Sequence, residues 1–237
     1  MARRFSEESP AAMMLADLNT ESVAAVAAEI GATHYQMDVS DPTANRALIE
    51  TTEERYGPID LFCANAGYGL AGSEQSDSEN WDKMWGVNVM SHVHAAKHLI
   101  PGWLAGGHGY FLSTVSAAGL LTNLGAAEYS VTKHAALAFA EWLAVSYGDR
   151  GVKVSCLCPQ FVNTPLIDAM SELDNLIATA AVLEPEAVAD AAVRGLAEEN
   201  FLILPHPEVE QYFQNKAADY DRWIKGMQKL QRAVFPK

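Results

Sequence analysis

Tyr129 and Lys133 stand four residues apart in "YSVTK", and Ser116 lies thirteen residues before the tyrosine in "STVSAAG". On a helix, positions i and i+4 share one face, a turn apart. A lysine ammonium beside a phenol favours the phenolate and lowers the tyrosine pKa. A tyrosine tuned in this way can act as general acid or base toward an alcohol or carbonyl. A serine hydroxyl at a neighbouring strand end can bond the same oxygen as charge develops on it. The spacing alone is weak evidence. The chain holds a second Tyr-x-x-x-Lys, Tyr212 and Lys216, and thirteen residues before Tyr212 stands Glu199 rather than a serine. Tyr212 follows no strand-end Ser-x-x-Gly and is expected to be packing or surface.

The elements that must position these groups follow from hydrophobic periodicity. Apolar runs of strand length fall at 12–16, 33–38, 59–64, 110–114, 152–157 and 201–204. Helical patterns cover 2–6, 21–30, 42–56, 81–104, 127–147 and 185–199. In 21–30, Val23, Val26, Ala27 and Ile30 share a face, and Gly31 marks a stop. Asp41 is a candidate N-cap, with Pro42 at the first helical position. The expected fold class is α/β, a parallel sheet with helices on both faces, in one domain over 1–237. Residues 164–183 read as an irregular helical insert on the substrate side. Residues 207–232 read as a last helical segment whose Tyr212, Phe213, Trp223, Ile224, Met227 and Leu230 need something to cover them. Chemistry in open α/β sheets sits beyond the carboxyl ends of the strands, where Ser116 falls.

The bulk numbers narrow the partners. Hydrophobic residues make up 49% and charged residues 19% of 237 positions, a globular composition. A formal net charge of −14 disfavours nucleic acid and anionic membranes. Cys63, Cys156 and Cys158 lie in apolar runs without metal-ligand spacing, so inert thiols in a reducing, cytoplasmic setting are expected. No apolar run approaches roughly 18 residues and no signal segment opens the chain. His94 and His98 have an i, i+4 spacing that can hold a metal. Without a supporting glutamate, they and His92 are expected at a surface or subunit interface, with no metal.

Several motifs occur in one order: Asn65-Ala66-Gly67 after the run at 59–64, Asn88 in "WGVNVMS", Ser116, "YSVTK", and "CPQFVNTP" at 158–165. Together they resemble the short-chain dehydrogenase/reductase family across nearly the whole chain. The resemblance implies a Rossmann-like, doubly wound sheet. It implies an NAD-dependent oxidoreductase moving a hydride between nicotinamide and an alcohol or ketone. It implies Tyr129 as acid/base, Lys133 as its pKa partner and a ligand of the nicotinamide ribose, and Ser116 as orienter of the substrate oxygen. Asn88 would hold a water that links Lys133 to solvent. Asn65, Ala66 and Gly67 would line the cofactor, and Pro159, Val162 and Thr164 belong to the stretch at the nicotinamide. Asp17 resembles the acidic residue that bonds the adenosine ribose 2′-hydroxyl. A carboxylate there repels a 2′-phosphate, and Leu18 and Asn19 supply no arginine to accept one, which favours NAD over NADP. Asp38 and Val39 resemble the pair flanking the adenine.

Two departures stand out. Gln160 replaces the family's usual glycine and is expected to narrow the site. No glycine precedes Gly31, so the first strand and glycine-rich phosphate turn of the family are expected to be absent from this stretch. The expectation is a gap in the sheet between 12–16 and 59–64. The rival to an enzyme is a non-catalytic, dehydrogenase-like scaffold or a truncated form unable to bind cofactor. Leu120, Leu121, Phe161, Leu166, Ile167 and Met170 are expected to line an apolar pocket for a small alcohol or ketone. The long helices' apolar faces, with the family's habit, suggest a homodimer or homotetramer.

Overall fold

The computed structural model of the chain describes residues 1–168 and 181–235. Helix α1 (Ala2–Ser6) leads to β1 (Met14–Asp17), α2 (Thr20–Ile30), β2 (Thr33–Gln36), α3 (Pro42–Tyr56) and β3 (Leu61–Ala64). Then come α4 (Ser78–Trp85), a π-turn (Gly86–Met90), α5 (Ser91–Gly106), β4 (Gly109–Thr114), α6 (Ala117–Leu120), α7 (Ala127–Tyr147) and β5 (Val152–Leu157). The remainder comprises β6 (Phe161–Val162), α8 (Pro165–Asp168), β7 (Val182–Leu183), α9 (Pro185–Ala197), β8 (Leu202–Ile203), α10 (Glu208–Ala218) and α11 (Tyr220–Val234). The architecture is the expected Rossmann-like α/β fold, and all strand pairs are parallel.

Local chemistry explains the element ends. Asp41 caps α3 by accepting from the Thr43 N–H at 2.7 Å, with Pro42 in the first turn. Gly31 ends α2 at φ 69°, a left-handed conformation that glycine enters without a Cβ clash. The cap of α2 is Asn19, whose Oδ1 accepts from the Ser22 N–H at 3.0 Å. Asp17 instead closes the turn before it, accepting from the Asn19 N–H at 2.8 Å. Strand β1 starts two residues later than the apolar run suggests, because Ala12 lies outside the pairing of Met14–Asp17 with Thr33–Gln36.

The long helical run at 81–104 is not one α-helix. Its pattern starts earlier, at Ser78, and the π-turn at Gly86–Met90 divides it, an interruption common near functional sites.

Strands order as β2–β1 in one sheet and β3–β4–β5–β8 in another, with β6–β7 a separate pair. Among the described residues, β1 and β3 each have a strand partner on one edge only, in keeping with the expected gap. Successive side chains of β4 face opposite layers. Phe111 packs with Leu99, Trp103 and Leu143 of α5 and α7, whereas Leu112 packs with Val188 and Ala192 of α9. Both are fully buried, and each contributes about 2–3 kcal/mol of apolar transfer. Register keeps the carboxyl ends level: Ala64 pairs with Ser113, and Ser113 with Cys156. Asn65, Ser116 and Pro159 therefore emerge at one end of the sheet.

Candidate active site

A cavity of about 1030 Å³ opens at that end. Ser116, Tyr129 and Lys133 all line it. Ser116 follows β4 and starts α6, its Oγ accepting from the Ala118 N–H at 3.1 Å and donating weakly to the Pro159 carbonyl at 3.4 Å. Its φ of 153° is rare for an L residue, the kind of local strain that functional sites retain. Helix α6 approaches α7 closely through Gly119. A Cβ there would stand 2.7 Å from the Lys133 carbonyl oxygen, so any larger residue would push the two helices apart.

Lys133 is 3% exposed. Its Nζ donates to the Thr114 carbonyl at 3.0 Å. An ammonium has three donors, and among the described residues this one forms no other hydrogen bond, which leaves two donors spare beside the cavity that Lys133 lines. No carboxylate among the described residues pairs with it, and burial pulls its pKa down to about 8. Tyr129 is 7% exposed, and burial pushes its phenol upward, while the nearby Ser116 hydroxyl pulls the other way. The sequence reading expects Lys133 to lower this pKa, and the structure differs. The Lys133 Nζ reaches for Thr114 and lies 5.7 Å from the Tyr129 ring centroid, so desolvation outweighs it.

Asn88 sits in the π-turn, fully buried. Its Oδ1 accepts from the Tyr68 N–H at 2.8 Å, and its Nδ2 donates to the Tyr68 carbonyl at 2.8 Å and to Thr132 Oγ1 at 3.0 Å. Asn88 thus ties the loop after β3 to α7 beside Lys133. Thr114, Thr132 and Tyr68 were not singled out by the sequence. The signal for Thr114 was its place at the end of β4, where its hydroxyl also donates to Asn65 Oδ1 at 3.0 Å.

The nicotinamide-side residues gather as a group. Asn65, Gly67, Pro159, Val162 and Thr164 line the same cavity. Ala66, Asp17, Leu18, Asp38 and Val39 are not among its lining residues. Asp17 and Leu18 are exposed. Asp38 Oδ1 accepts from the Ser40 N–H and hydroxyl at 2.8 and 2.7 Å, which holds its carboxyl below the ordinary value. The two unused donors of Lys133, aimed into a cavity with room for a ring, fit a cofactor's ribose at this end.

Gln160 lines the cavity as expected, and its backbone needs no glycine, since its φ is not positive. Its loop is pinned by a residue the sequence did not flag. His206 Nδ1 accepts from the Gln160 N–H at 3.1 Å, and its Nε2–H donates to the Phe161 carbonyl at 3.1 Å. Of the expected apolar lining, Leu121, Phe161, Leu166 and Ile167 are present. Leu120 is corrected: it lies fully in the core beneath α6. Met170 falls outside the described residues. Of the segment at 207–232, Tyr212, Trp223, Met227 and Leu230 wall the cavity and Phe213 packs against the core, while Tyr212, Ile224 and Leu230 stay exposed.

His92 is also corrected. It is 1% exposed, not superficial, and its Nδ1 pairs with Ser113 Oγ at 3.0 Å. Burial brings its pKa down to about 3, so it stays neutral. No cluster of three or more metal-ligating side chains occurs among the described residues. Cys156 and Cys158 are fully buried free thiols whose pKa values burial raises.

A sequence profile of the short chain dehydrogenases matches residues 1–175. The chain belongs to the short-chain dehydrogenase/reductase family. Meso-2,3-butanediol dehydrogenase of Serratia marcescens is 33% identical over 197 residues, covering 79% of this chain and 78% of that protein. The 2,5-dichloro-2,5-cyclohexadiene-1,4-diol dehydrogenase of Sphingobium indicum is 32% identical over 171 residues, covering 70% and 68%. A solved short-chain dehydrogenase/reductase from Burkholderia phymatum, in complex with NAD, superposes with a TM-score of 0.84 at 26% identity, over 92% of this chain and 89% of that one. Other solved structures of similar fold hold NADP or NADH. As a member of this family, the chain is an oxidoreductase by kinship. No helix among the described residues is long and apolar enough to cross a membrane.

Proposed function

We propose that this short-chain dehydrogenase/reductase interconverts a small, largely apolar alcohol and its ketone with NAD. The observation that carries the reading is the meeting of Ser116, Tyr129 and a Lys133 ammonium with two spare donors in one cavity. The bound nicotinamide supplies the hydride chemistry. Ser116 orients the substrate oxygen, and Tyr129 exchanges a proton with that same oxygen. The spare donors of Lys133 hold the ribose hydroxyls beside it. Asn65, Ala66, Gly67, Pro159, Val162 and Thr164 enclose the nicotinamide side, and Asn88 fixes the loop facing it. At the adenosine side, Asp17 with Leu18 selects against a 2′-phosphate, and Asp38 with Val39 flanks the base. Leu121, Leu124, Phe161, Leu166 and Ile167 support an apolar substrate. The names of two relatives, a butanediol and a cyclohexadienediol dehydrogenase, support an alcohol.

The test is NADH formation by the purified chain over a panel of aliphatic and alicyclic alcohols, 2,3-butanediol included. Turnover of charged substrates alone would overturn the apolar reading. The rival, a dehydrogenase-like scaffold, draws support from Asp17 and Asp38 lying off the cavity. Calorimetric titration with NAD separates the two, since a scaffold binds none. Exposed Val131, Trp142 and Val145 on α7 favour a homo-oligomer, which light scattering measures, and three free thiols favour the cytoplasm.

A further inference from the structure

The second Tyr-x-x-x-Lys pair faces no strand-end serine, yet its lysine is held almost as deeply as the first. Lys216 is 6% exposed and has no carboxylate partner among the described residues. Its Nζ donates to the Leu120 carbonyl at 2.7 Å and to His134 Nε2 at 3.3 Å. The same ammonium stands 4.8 Å from the Trp223 ring centroid and 5.6 Å from that of Tyr220. Burying a cation is costly unless other groups replace its water. Here a carbonyl, an imidazole lone pair and two aromatic faces do so. The imidazole is oriented for it: His134 Nδ1–H donates to the Ser130 carbonyl at 2.8 Å, which leaves Nε2 as acceptor.

Each partner comes from a different element. Leu120 ends α6, the turn that Ser116 begins. His134 follows Lys133 on α7. Trp223 and Tyr220 belong to α11, and Lys216 itself to α10. Together α10, α11 and the corner between them give the cavity Tyr212, Asn215, Asp219, Trp223, Met227 and Leu230.

We propose that Lys216 is a positioning residue whose clamp on Leu120 and His134 holds α10 and α11 as a wall of the substrate cavity, setting substrate affinity without touching the reacting atoms. The identity of the ligand rests on the dehydrogenase reading, whereas the clamp rests on the packing alone. The titratable and charged groups around the clamp are His134 from α7, Tyr220 from α11, and Asp219 at the corner, whose carboxylate accepts from the Arg222 N–H at 2.9 Å. Helix α6 offers backbone carbonyls only. Burial lowers the His134 pKa from the ordinary imidazole value, the Ser130 and Ala118 carbonyls oppose it, and Lys216 adds to the lowering. Protonated His134 would set a second cation against the ammonium. The opened state then binds more protons, so the clamp weakens as pH falls below about 6.5.

Hydrogen exchange of the full chain, read by mass spectrometry with α5 peptides as internal reference, tests the clamp. Lys216→Met is expected to raise exchange across 208–234 about tenfold over α5. With NAD and meso-2,3-butanediol, it is expected to raise KM about tenfold while kcat stays within about twofold. His134→Gln keeps an acceptor without a titration. Between pH 7.5 and 5.5 the parent's 208–234 protection should fall relative to α5, while that of His134→Gln stays level. Exchange in Lys216→Met within about twofold of the parent, or kcat falling with KM unchanged, would overturn the proposal. If Lys216→Met unfolds throughout, so that α5 also exchanges, His134→Phe removes the Nε2 acceptor together with the Nδ1–H bond to Ser130 and is judged on the same readouts. If the parent oxidises no alcohol, the dehydrogenase reading fails and the 208–234 exchange alone decides the clamp.

Discussion

Two segments of this chain share the spacing Tyr-x-x-x-Lys and place both residues on one helical face, but they do different work. Tyr129 and Lys133 lie behind the end of β4, both buried. Tyr212 is 47% exposed and its hydroxyl has no partner among the described residues, while Lys216 is buried. Among the described residues, the ammonium of Lys133 has one acceptor and two donors left over. That of Lys216 is surrounded by a carbonyl, an imidazole and two rings. A saturated cation holds elements together, and an unsaturated one is free to bind what enters. Spacing brings a tyrosine and a lysine onto one face. The neighbouring strand end and the count of unmet donors decide whether that face is chemical.

The largest effect that could break this contrast is at Tyr129. Tyr129→Phe removes the exchangeable proton and little volume, so kcat for alcohol oxidation is expected to fall about 10³-fold with the fold intact by circular dichroism. Parent-level turnover would end the contrast.

Next is His92, a buried polar group outside the catalytic set, whose Nε2 has no partner among the described residues. It is neutral when folded and takes up a proton when unfolded. Stability is therefore fully present above pH ~6.5 and declines as pH falls toward 3, by on the order of 4 kcal/mol from the shift to about 3. Urea unfolding from pH 7 to 4 should show this loss, and His92→Met should flatten the slope, at about 1 kcal/mol for the hydrogen bond lost by Ser113.

Asp17→Ala comes third. It should narrow the NAD-over-NADP ratio of kcat/KM about tenfold by removing a charge that repels the 2′-phosphate. An unchanged ratio would mean that the adenosine side is read elsewhere.

The smallest effect sharpens the contrast most. Tyr212→Phe should leave kcat within about twofold, because its hydroxyl has no partner among the described residues.

Much of this was legible because it is local. The Asp41 cap, the Gly31 stop, the helix over Ala127–Tyr147 and the strand over Val152–Leu157 depend on residues within a few positions of one another. The order of Asn65, Asn88, Ser116 and Tyr129 was legible through its resemblance to the motifs of the family. What escaped depends on distant partners. Lys216 meets Leu120 across 96 positions, and its own surroundings in sequence are those of an ordinary surface helix. In sequence, His92 groups with His94 and His98 on one helix and, without a supporting glutamate, reads as a surface or subunit-interface residue. Its burial depends on Phe111, whose ring it meets edge-on at 6.1 Å. Leu120 was placed in the pocket from its neighbourhood to Ser116, but the short turn of α6 points it inward. The pKa of Tyr129 was read from Lys133 alone, and the depth of the site outweighs that charge.

The π-turn at Gly86–Met90 has a consequence for how this chain tolerates change in length. An α-helix advances about 100° per residue, so one extra residue in a turn rotates everything after it by about that much. Asn88 is aimed at Tyr68 and Thr132 in the phase of the turn, whereas Ala95, Leu99 and Trp103 are aimed at the core in the phase that follows it. Deleting any single residue from 86 to 90 would bring the two stretches into one phase, and one set of side chains would then face the wrong way. A substitution at Asn88 removes one knot between a loop and a helix. A one-residue deletion beside it would turn three turns of core toward the wrong neighbours, so this short stretch resists losing length more than it resists changing identity.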